Sequence, residues 1–295
     1  MKKRDLLKKQ NNPYYIVSPD YTRKSMGIRV MHYLCHALNI SGENAFMVTN
    51  QVNPELRTPI LTQNNIQYHL SLGLNPIAVY PEIYHGNPIG AKTVVRYLLN
   101  EPGLCGGPTS FESTDILFAF RESLRTPETP ENNILYMPLI DRRIFNFNPL
   151  DNHNRNKILY YLAEYRNADI EYPELMDFLR NHAIQITSTY PESHEELAEL
   201  FKQAKVLVSF HFSSLAGEAL LCGCPVHYIS TQYTTYLQDQ AALSVGGIAS
   251  ALNDDAIEEA RKTLHIFDAN YKIIEDNFWS QMDYFREITQ EKSNL

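Results

Sequence analysis

From Val206 to Ile229 the chain reads VLVSFHFSSLAGEALLCGCPVHYI. Val206 to Phe210 is a short apolar run with β-branched residues and reads as a buried strand; Val226 to Ile229 reads as a second. Between them, Ser213 or Ser214 caps a helix whose apolar positions Leu215, Ala219, Leu220 and Cys222 mostly share one face, with Gly223 as its stop and Pro225 beyond. That is one βαβ unit. Its first strand ends in small hydroxyl residues at a helix N-terminus, where unpaired backbone N–H groups and the positive end of the helix dipole favour a phosphate. Glu218 stands one turn further in, about 6 Å along the axis, where a carboxylate accepts hydrogen bonds from ribose hydroxyls.

SSLAGEALLCGCPV resembles the signature in the C-terminal domain of GT-B glycosyltransferases, the retaining enzymes of family four and their relatives. In that signature two Glu residues, seven apart, lead into Ala-x-x-Cys-Gly-x-Pro-Val. The resemblance implies an α/β fold of two Rossmann-like domains facing across a cleft. It implies a nucleotide-diphosphate sugar as substrate and no cofactor. The second Glu of the signature, which binds the nucleotide ribose, falls on Glu218; the residues that present N–H groups to the diphosphate fall on Ser213, Ser214 and Leu215. The first Glu falls on position 210, where this chain has Phe210. That departure removes the usual contact to the donor sugar and leaves a retaining or an inverting transfer open.

Length and charge agree with this reading. A chain of 295 residues is expected to form two domains. The hydrophobic fraction of 44% supplies buried cores, while no apolar run approaches the roughly 18 residues needed to cross a membrane. A net charge of -8 argues against a general nucleic-acid binder. Cys35, Cys105, Cys222 and Cys224 show no CxxC or zinc-like spacing, so a reducing cytoplasm is the expected compartment. The opening MKKRDLLKKQNN is basic but lacks the apolar core of a signal peptide. It reads either as a solvated tail over residues 1 to 13 or as a helix in peripheral contact with the inner membrane surface.

Taken in order, Tyr14 to Ser18 reads as a strand, Gly27 to Asn39 as a helix and Ala45 to Thr49 as a strand, a Rossmann-like opening. Arg23, Lys24 and Arg29 crowd the mouth of that helix beside Gly27, where they either neutralise a diphosphate or are surface charges. Residues 50 to 76 are polar loop with one short helix. Pro76 to Tyr80 reads as a strand, and Asn87 with Pro88 reads as the start of a helix closed by Pro102 and Gly103. Glu82, His85 and Asn87 therefore stand in a loop at the C-terminal edge of a strand, where open α/β sheets bind ligands. The run from YPE through HGNP to VVRYLLN is similar to bacterial surface-polysaccharide glycosyltransferases. The resemblance puts the family's sugar-facing His on His85. Glu82 is the candidate general base of an inverting transfer, or else a strand-end carboxylate paired with Arg96 across the helix.

Thr114 to Phe120 reads as a strand, and Ile134 to Met137 as another. Pro138, Asp141 and Phe145 then match the Pro-x-x-Asp-x-x-x-Phe passage between GT-B domains, with the boundary expected between residues 148 and 155. The second domain alternates again, with strands at Lys157 to Leu162 and Ala183 to Thr187, and Ser193 with Glu196 as a capping box. Helices follow near Thr235 to Leu243, Asp254 to Leu264 and Asp268 to Glu291; the resemblance implies that the last returns to the first domain. After Leu162 the family carries an Arg and, five residues on, a Lys on the diphosphate; here Arg166 stands alone, with Arg155, Lys157 or Arg29 as substitutes. No Asp-x-Asp occurs, which agrees with a site that uses no metal. The expected activity is transfer of a sugar to a glycan or lipid-linked acceptor in surface-polysaccharide assembly. The alternatives are a weakened GT-B protein serving as a binding or activating subunit and a nucleotide-sugar epimerase on the same scaffold.

Overall fold

The computed structural model describes residues 10–23, 25–147, 154–163, 165–211, 213–232, 234 and 246–294. The basic tail up to residue 9, Lys24, residues 148–153 and the helix expected near residues 235–243 lie outside the described residues. Two compact units emerge, Met1–Leu139 with Asp276–Leu295, and Ile140–Glu275. The chain passes between them at Leu139/Ile140, ahead of the expected boundary, and again at Glu275/Asp276.

The first unit contains β1 (Tyr14–Val17), α1 (Met26–Ile40), β2 (Ala45–Val48), α2 (Gln63–Ser71), β3 (Ile77–Pro81), β4 (Thr93–Leu98) and β5 (Ile116–Ala119). The strands form one sheet in the order β2-β1-β3-β4-β5, and every pair in it is parallel. Ser25 starts α1 by accepting a hydrogen bond from Ile28 N, and Thr62 with Asn65 forms a reciprocal capping box on α2. On one face of the sheet Ile16, Val79, Tyr97 and Phe118 pack under Val30, Leu34 and Leu38 of α1. Phe278, Met282 and Phe285 complete the same core, with Phe285 set edge-on to Phe118 at 4.8 Å. The other face is held by Val17, Ala78, Tyr80 and Val94.

Three expectations change here. The helix expected from Asn87 to Pro102 is instead a loop followed by β4, whose six residues are all buried. A central parallel strand covered on both faces has no polar alternation, and Thr93, Val94 and Val95 prefer the extended backbone. The strand expected over Ile134 to Met137 reduces to one bridge between Ala119 and Ile134. Asn11 to Pro13 are structural rather than a tail: Asn11 Nδ2 donates to Glu43, and buried Asn12 donates to Ser293 Oγ at 2.9 Å.

The second unit contains β6 (Lys157–Tyr161), α3 (Ala168–Glu171), α4 (Pro173–His182), β7 (Ala183–Ile186), α5 (His194–Gln203), β8 (Ala204–Ser209), α6 (Ser214–Leu221), β9 (Val226–Tyr228) and α7 (Asp254–Lys262). The last helix, α8 (Leu264–Ser293), begins here, and its residues from Asp276 belong to the first unit. The sheet order is β7-β6-β8-β9, again parallel throughout. Ser193 and Glu196 form the expected capping box on α5. Gly223 takes φ +77 at the end of α6, the left-handed residue that a helix stop favours.

Candidate functional site

In each sheet the chain reverses its direction of growth once. Such a switch point opens a crevice at the C-terminal ends of the two strands that flank it, because their connections leave to opposite faces. In the second unit the switch lies between β6 and β8, and in the first between β1 and β3. The residues singled out from the sequence fall on the segments that leave these four strands.

At the switch of the second unit, β8 passes through Phe210 and His211 into α6. Ser213 occupies the N-cap position, but its side chain caps nothing and its Oγ is buried with no hydrogen-bond partner. By contrast α1, α2, α5 and α7 each carry a side-chain cap. Ser213 thus leaves the first turn of α6 without the N-cap acceptor that those four helices carry, and an uncapped helix N-terminus favours an anion. Ser214 and Leu215 follow, both half-buried, and Glu218 on the next turn is 4% exposed. Gly217 lets this helix sit close to its neighbours, since a Cβ there would lie 3.0 Å from Ile140 Cδ1 and 3.4 Å from Phe267 Cζ.

The segment leaving β6 meets the one leaving β8. Tyr165 stacks on Phe210 at 5.8 Å, and Tyr172 sets its ring edge-on at 5.9 Å. Phe210 is fully buried; its N–H donates to Tyr161 O and its carbonyl accepts from Thr231 Oγ1, both at 2.9 Å. The position at which the resemblance expects a sugar-binding Glu is therefore core. Ala163 is held at φ 51, a left-handed conformation uncommon for a residue with a Cβ, and Arg166 three residues later is exposed. Arg155 and Lys157 do not substitute for the missing Lys. Both enter β6 from its N-terminal end, the wrong edge of the sheet. Arg155 also spends its donors on the carbonyls of Phe201, Ala204 and Cys222.

At the switch of the first unit, β1 leads through residues 18–25 into α1, with Gly27 and Arg29 in its opening turns. Gly27 is half-buried and a Cβ there would make only ordinary contact, 3.6 Å from Leu99 Cδ1. Arg29 is buried and donates to the carbonyl of Leu139 at 3.0 Å, so it ties α1 to the end of the unit rather than standing open at the helix mouth. His32, one turn on, is fully buried, with Nε2 at 3.2 Å from Pro19 O and its ring edge-on to Tyr21; burial holds its pKa below the ordinary histidine value.

Glu82 follows β3. It is 4% exposed, and its Oε2 accepts a hydrogen bond from Leu99 N at 2.9 Å. Burial pushes its pKa above the usual carboxylate range, with the backbone amide bonds pulling in the opposite direction. Arg96 is not its partner. The Arg96 Nε donates to Asp115 at 2.7 Å, and its other nitrogens donate to the carbonyls of Tyr84 and Gly86, while Tyr80 and Phe111 lie against the guanidinium at 5.0 and 5.5 Å. Asn87 fastens the far side of the same loop through Tyr80 OH and both backbone groups of Ala91. The fixed loop leaves His85 exposed. The roles of Asp115 and Asn87 were not read from the sequence; the signal was a lone Arg inside an apolar run, which needs a buried acid.

The first unit thus brings together Glu82 and His85, with Gly27 and Arg29 on the neighbouring segment. The second brings together Ser213, Ser214, Leu215 and Glu218, with Arg166 on its neighbour. Among the described residues no group of three or more His, Cys, Asp or Glu is placed to hold a metal ion. No described helix is long and apolar enough to cross a membrane.

No protein-family model matches the chain, and no curated protein matches it in sequence. Solved structures do match in three dimensions. Os79 from O. sativa, in complex with UDP, superposes on 94% of this chain and 100% of its own, with TM-score 0.50 and 9% identity. The glycosyltransferase VinC, in complex with dTDP, covers 96% and 99% with TM-score 0.48 and 11% identity. The glycosyltransferase SnogD from Streptomyces nogalater covers 96% and 98% with TM-score 0.46 and 13% identity. At these identities the likeness is one of fold. Two α/β units, each on a parallel sheet, make up the GT-B architecture that the signature led us to expect.

Proposed function

We propose that this chain is a GT-B glycosyltransferase that takes a sugar from a nucleotide diphosphate and delivers it to a glycan or lipid-linked acceptor. The observation that carries the reading is the start of α6, where Ser213 stands at the N-cap without capping and Glu218 lies buried one turn on. Amide groups of Ser214 and Leu215 would receive the diphosphate, helped by the helix dipole. Glu218 would accept hydrogen bonds from the ribose, and Arg166 would neutralise the phosphates from the β6 segment. These groups stabilise a departing nucleoside diphosphate through fixed dipoles and charge, chemistry that asks for no metal. In the first unit His85 is exposed on the loop that leaves β3 and is assigned to the transferred sugar. Glu82, with its raised pKa, is assigned the acceptor proton if the transfer inverts. We extend the proposal to surface-polysaccharide assembly on the cytoplasmic side of a membrane, with contact to the membrane surface.

The buried Phe210 favours a second reading, a subunit that binds a nucleotide without transferring the sugar. Calorimetry with UDP, dTDP and GDP, followed by release of sugar from the matching nucleotide sugars, separates the two. A nucleotide should bind, and Glu218→Ala should weaken it by about 10- to 100-fold, the loss of roughly 1.5–3 kcal/mol in charge-assisted hydrogen bonds. Equal affinity in variant and wild type refutes the donor assignment. Binding without sugar release selects the second reading. Loss of turnover in EDTA, restored by magnesium or manganese, would refute the metal-free one.

A further inference from the structure

We infer that the outer edge of β7, in the second unit, is a docking surface for a second copy of this chain, the two strands pairing antiparallel about a two-fold axis. The two sheets have four edge strands, β2, β5, β7 and β9. Three of them are closed by a stretch of extended chain in the same way. Beside β2, Met47 N donates to Pro59 O and Leu61 N to Met47 O. Beside β5, Ala119 N donates to Asn133 O and Leu135 N to Ala119 O. Beside β9, Val226 N donates to Gly247 O and Ala249 N to Val226 O. Among the described residues no segment lies along the outer side of β7.

Natural edge strands are blunted by Lys, proline or a bulge, because their unpaired N–H and C=O groups are a template for another strand. β7 has none of these: it reads Ala-Ile-Gln-Ile and pairs with β6 without a register shift. Two identical strands related by a two-fold axis normal to the sheet run antiparallel. Facing residues then share a side of the sheet, so the axis passes beside one residue. Set at Gln185, it engages residues 183 to 187 and faces Ile184 with Ile186 of the second copy; no charge occurs in that stretch. Gln185 is exposed, and its Oε1 accepts from Tyr160 OH at 3.1 Å, which leaves the amide Nε2 to donate across the axis.

The helix beside the edge selects a second copy over an unrelated peptide. Met176 and Leu179 of α4 share one core with Ile158 and Tyr160 of β6 and Ala183 of β7. At about 100° per residue, the right-handed β6–α4–β7 crossover turns the flank that carries Asp177 and Arg180 toward the open edge. α4 runs antiparallel to β7, and no residue separates His182 from Ala183. The midpoint between Asp177 and Arg180 lies about 5 Å from the helix end, and Gln185 about 7 Å along the strand, so one axis serves both layers. About that axis Asp177 of each copy faces Arg180 of the other. A helix over the gap between strands about 4.8 Å apart stands about 10 Å from its copy, a normal helix-packing distance. Arg180 also pairs with Asp169, and Asp177 accepts from Asn181 Nδ2 at 3.3 Å. A guanidinium with five donors and a carboxylate with four acceptor sites each serve a further partner.

The test is sedimentation equilibrium of the full chain over a concentration series reaching several hundred micromolar, and it stands apart from any transferase activity. The contact is small, so a dimer with a micromolar dissociation constant is expected. Gln185→Lys sets like charges opposite each other and should weaken it about fivefold or more. Asp177→Arg and Arg180→Asp should each weaken it about tenfold, whereas a mixture of these two variants should recover most of the affinity, because each changed charge then meets its opposite. Gln185→Cys in a Cys105→Ser background should oxidise to a disulfide-linked dimer. Asp177, Arg180 and Gln185 are all exposed, so the fold is retained and the melting temperature should stay close to that of the wild type. A monomer at the highest concentration, species larger than a dimer, indifference to Gln185→Lys, or a mixture no tighter than its two members would each overturn the proposal.

Discussion

Asp115→Ala would strand a guanidinium in the core of the first unit. The side chains of Arg96 and Asp115 are 3% and 5% exposed, so water cannot replace the lost carboxylate. Breaking a buried pair by removing one partner costs about 3–5 kcal/mol. Here the cation keeps the carbonyls of Tyr84 and Gly86 and the rings of Tyr80 and Phe111, which places Asp115→Ala near the lower figure. Arg96→Met should reach the upper one, because it orphans the carboxylate and both carbonyls together. The double change Arg96→Met/Asp115→Leu removes both charges and should recover a large part of the loss. The assay is built in: Trp279 is the single tryptophan and lies in the segment that belongs to the first unit, so its fluorescence in urea follows that unit. A loss of about 3 kcal/mol corresponds to roughly 6–12 °C in a thermal melt of a unit this size. A loss below about 1 kcal/mol for Asp115→Ala would show that the pair does not hold the His85 loop.

Three further outcomes are expected. Glu82 has a raised folded pKa, so its cost to stability is fully present above that value and disappears as pH falls toward the unfolded value of about 4.3. Glu82→Gln, whose amide oxygen still accepts from Leu99 N, should stabilise the protein at neutral pH by an amount that shrinks on acidification; a pH-independent difference in melting temperature would contradict this. Burial pushes the thiols of Cys222 and Cys224 up to about 12 and also raises that of Cys35, whereas Cys105 is exposed. Native protein should therefore react with one equivalent of a thiol reagent, the signal vanishing in Cys105→Ser, and fast labelling of more than one thiol speaks against the packing described. Phe210→Ala should cost the second unit about 3–5 kcal/mol in denaturant, because it empties a fully buried site between Tyr165 and Tyr172. A near-neutral result would mean that Phe210 borders open space.

How far the sequence spoke depended on the distance over which each feature is decided. The βαβ unit around α6 was legible because its cap position, its left-handed Gly223 and its β-branched strands all act within a few residues. β4 was misread because a short run buried on both faces has neither period, and Asn87 with Pro88 imitated a helix start. In the fold Asn87 closes a turn onto Ala91 instead. The fate of Phe210 was set by Tyr165 and Tyr172, and that of Arg29 by the carbonyl of Leu139, partners too remote for any local pattern to predict. Arg96 likewise waited on Asp115, across the β4–β5 connection.

The division of the last helix has a consequence for synthesis. Phe278, Met282 and Phe285 close the core under Tyr14, Ile16 and Phe118, yet they are made after the whole second unit. At about 5–20 residues per second a ribosome needs roughly 8–30 s to go from Leu139 to Ser293. Throughout that interval the nascent first unit carries an uncovered strip of its sheet, the kind of surface that holdase chaperones and neighbouring chains recognise. The second unit meanwhile can complete its own sheet. A ribosome-bound chain halted before Asp276 should therefore resist protease in its later half and yield in its earlier one, the reverse of the usual N-terminal-first order.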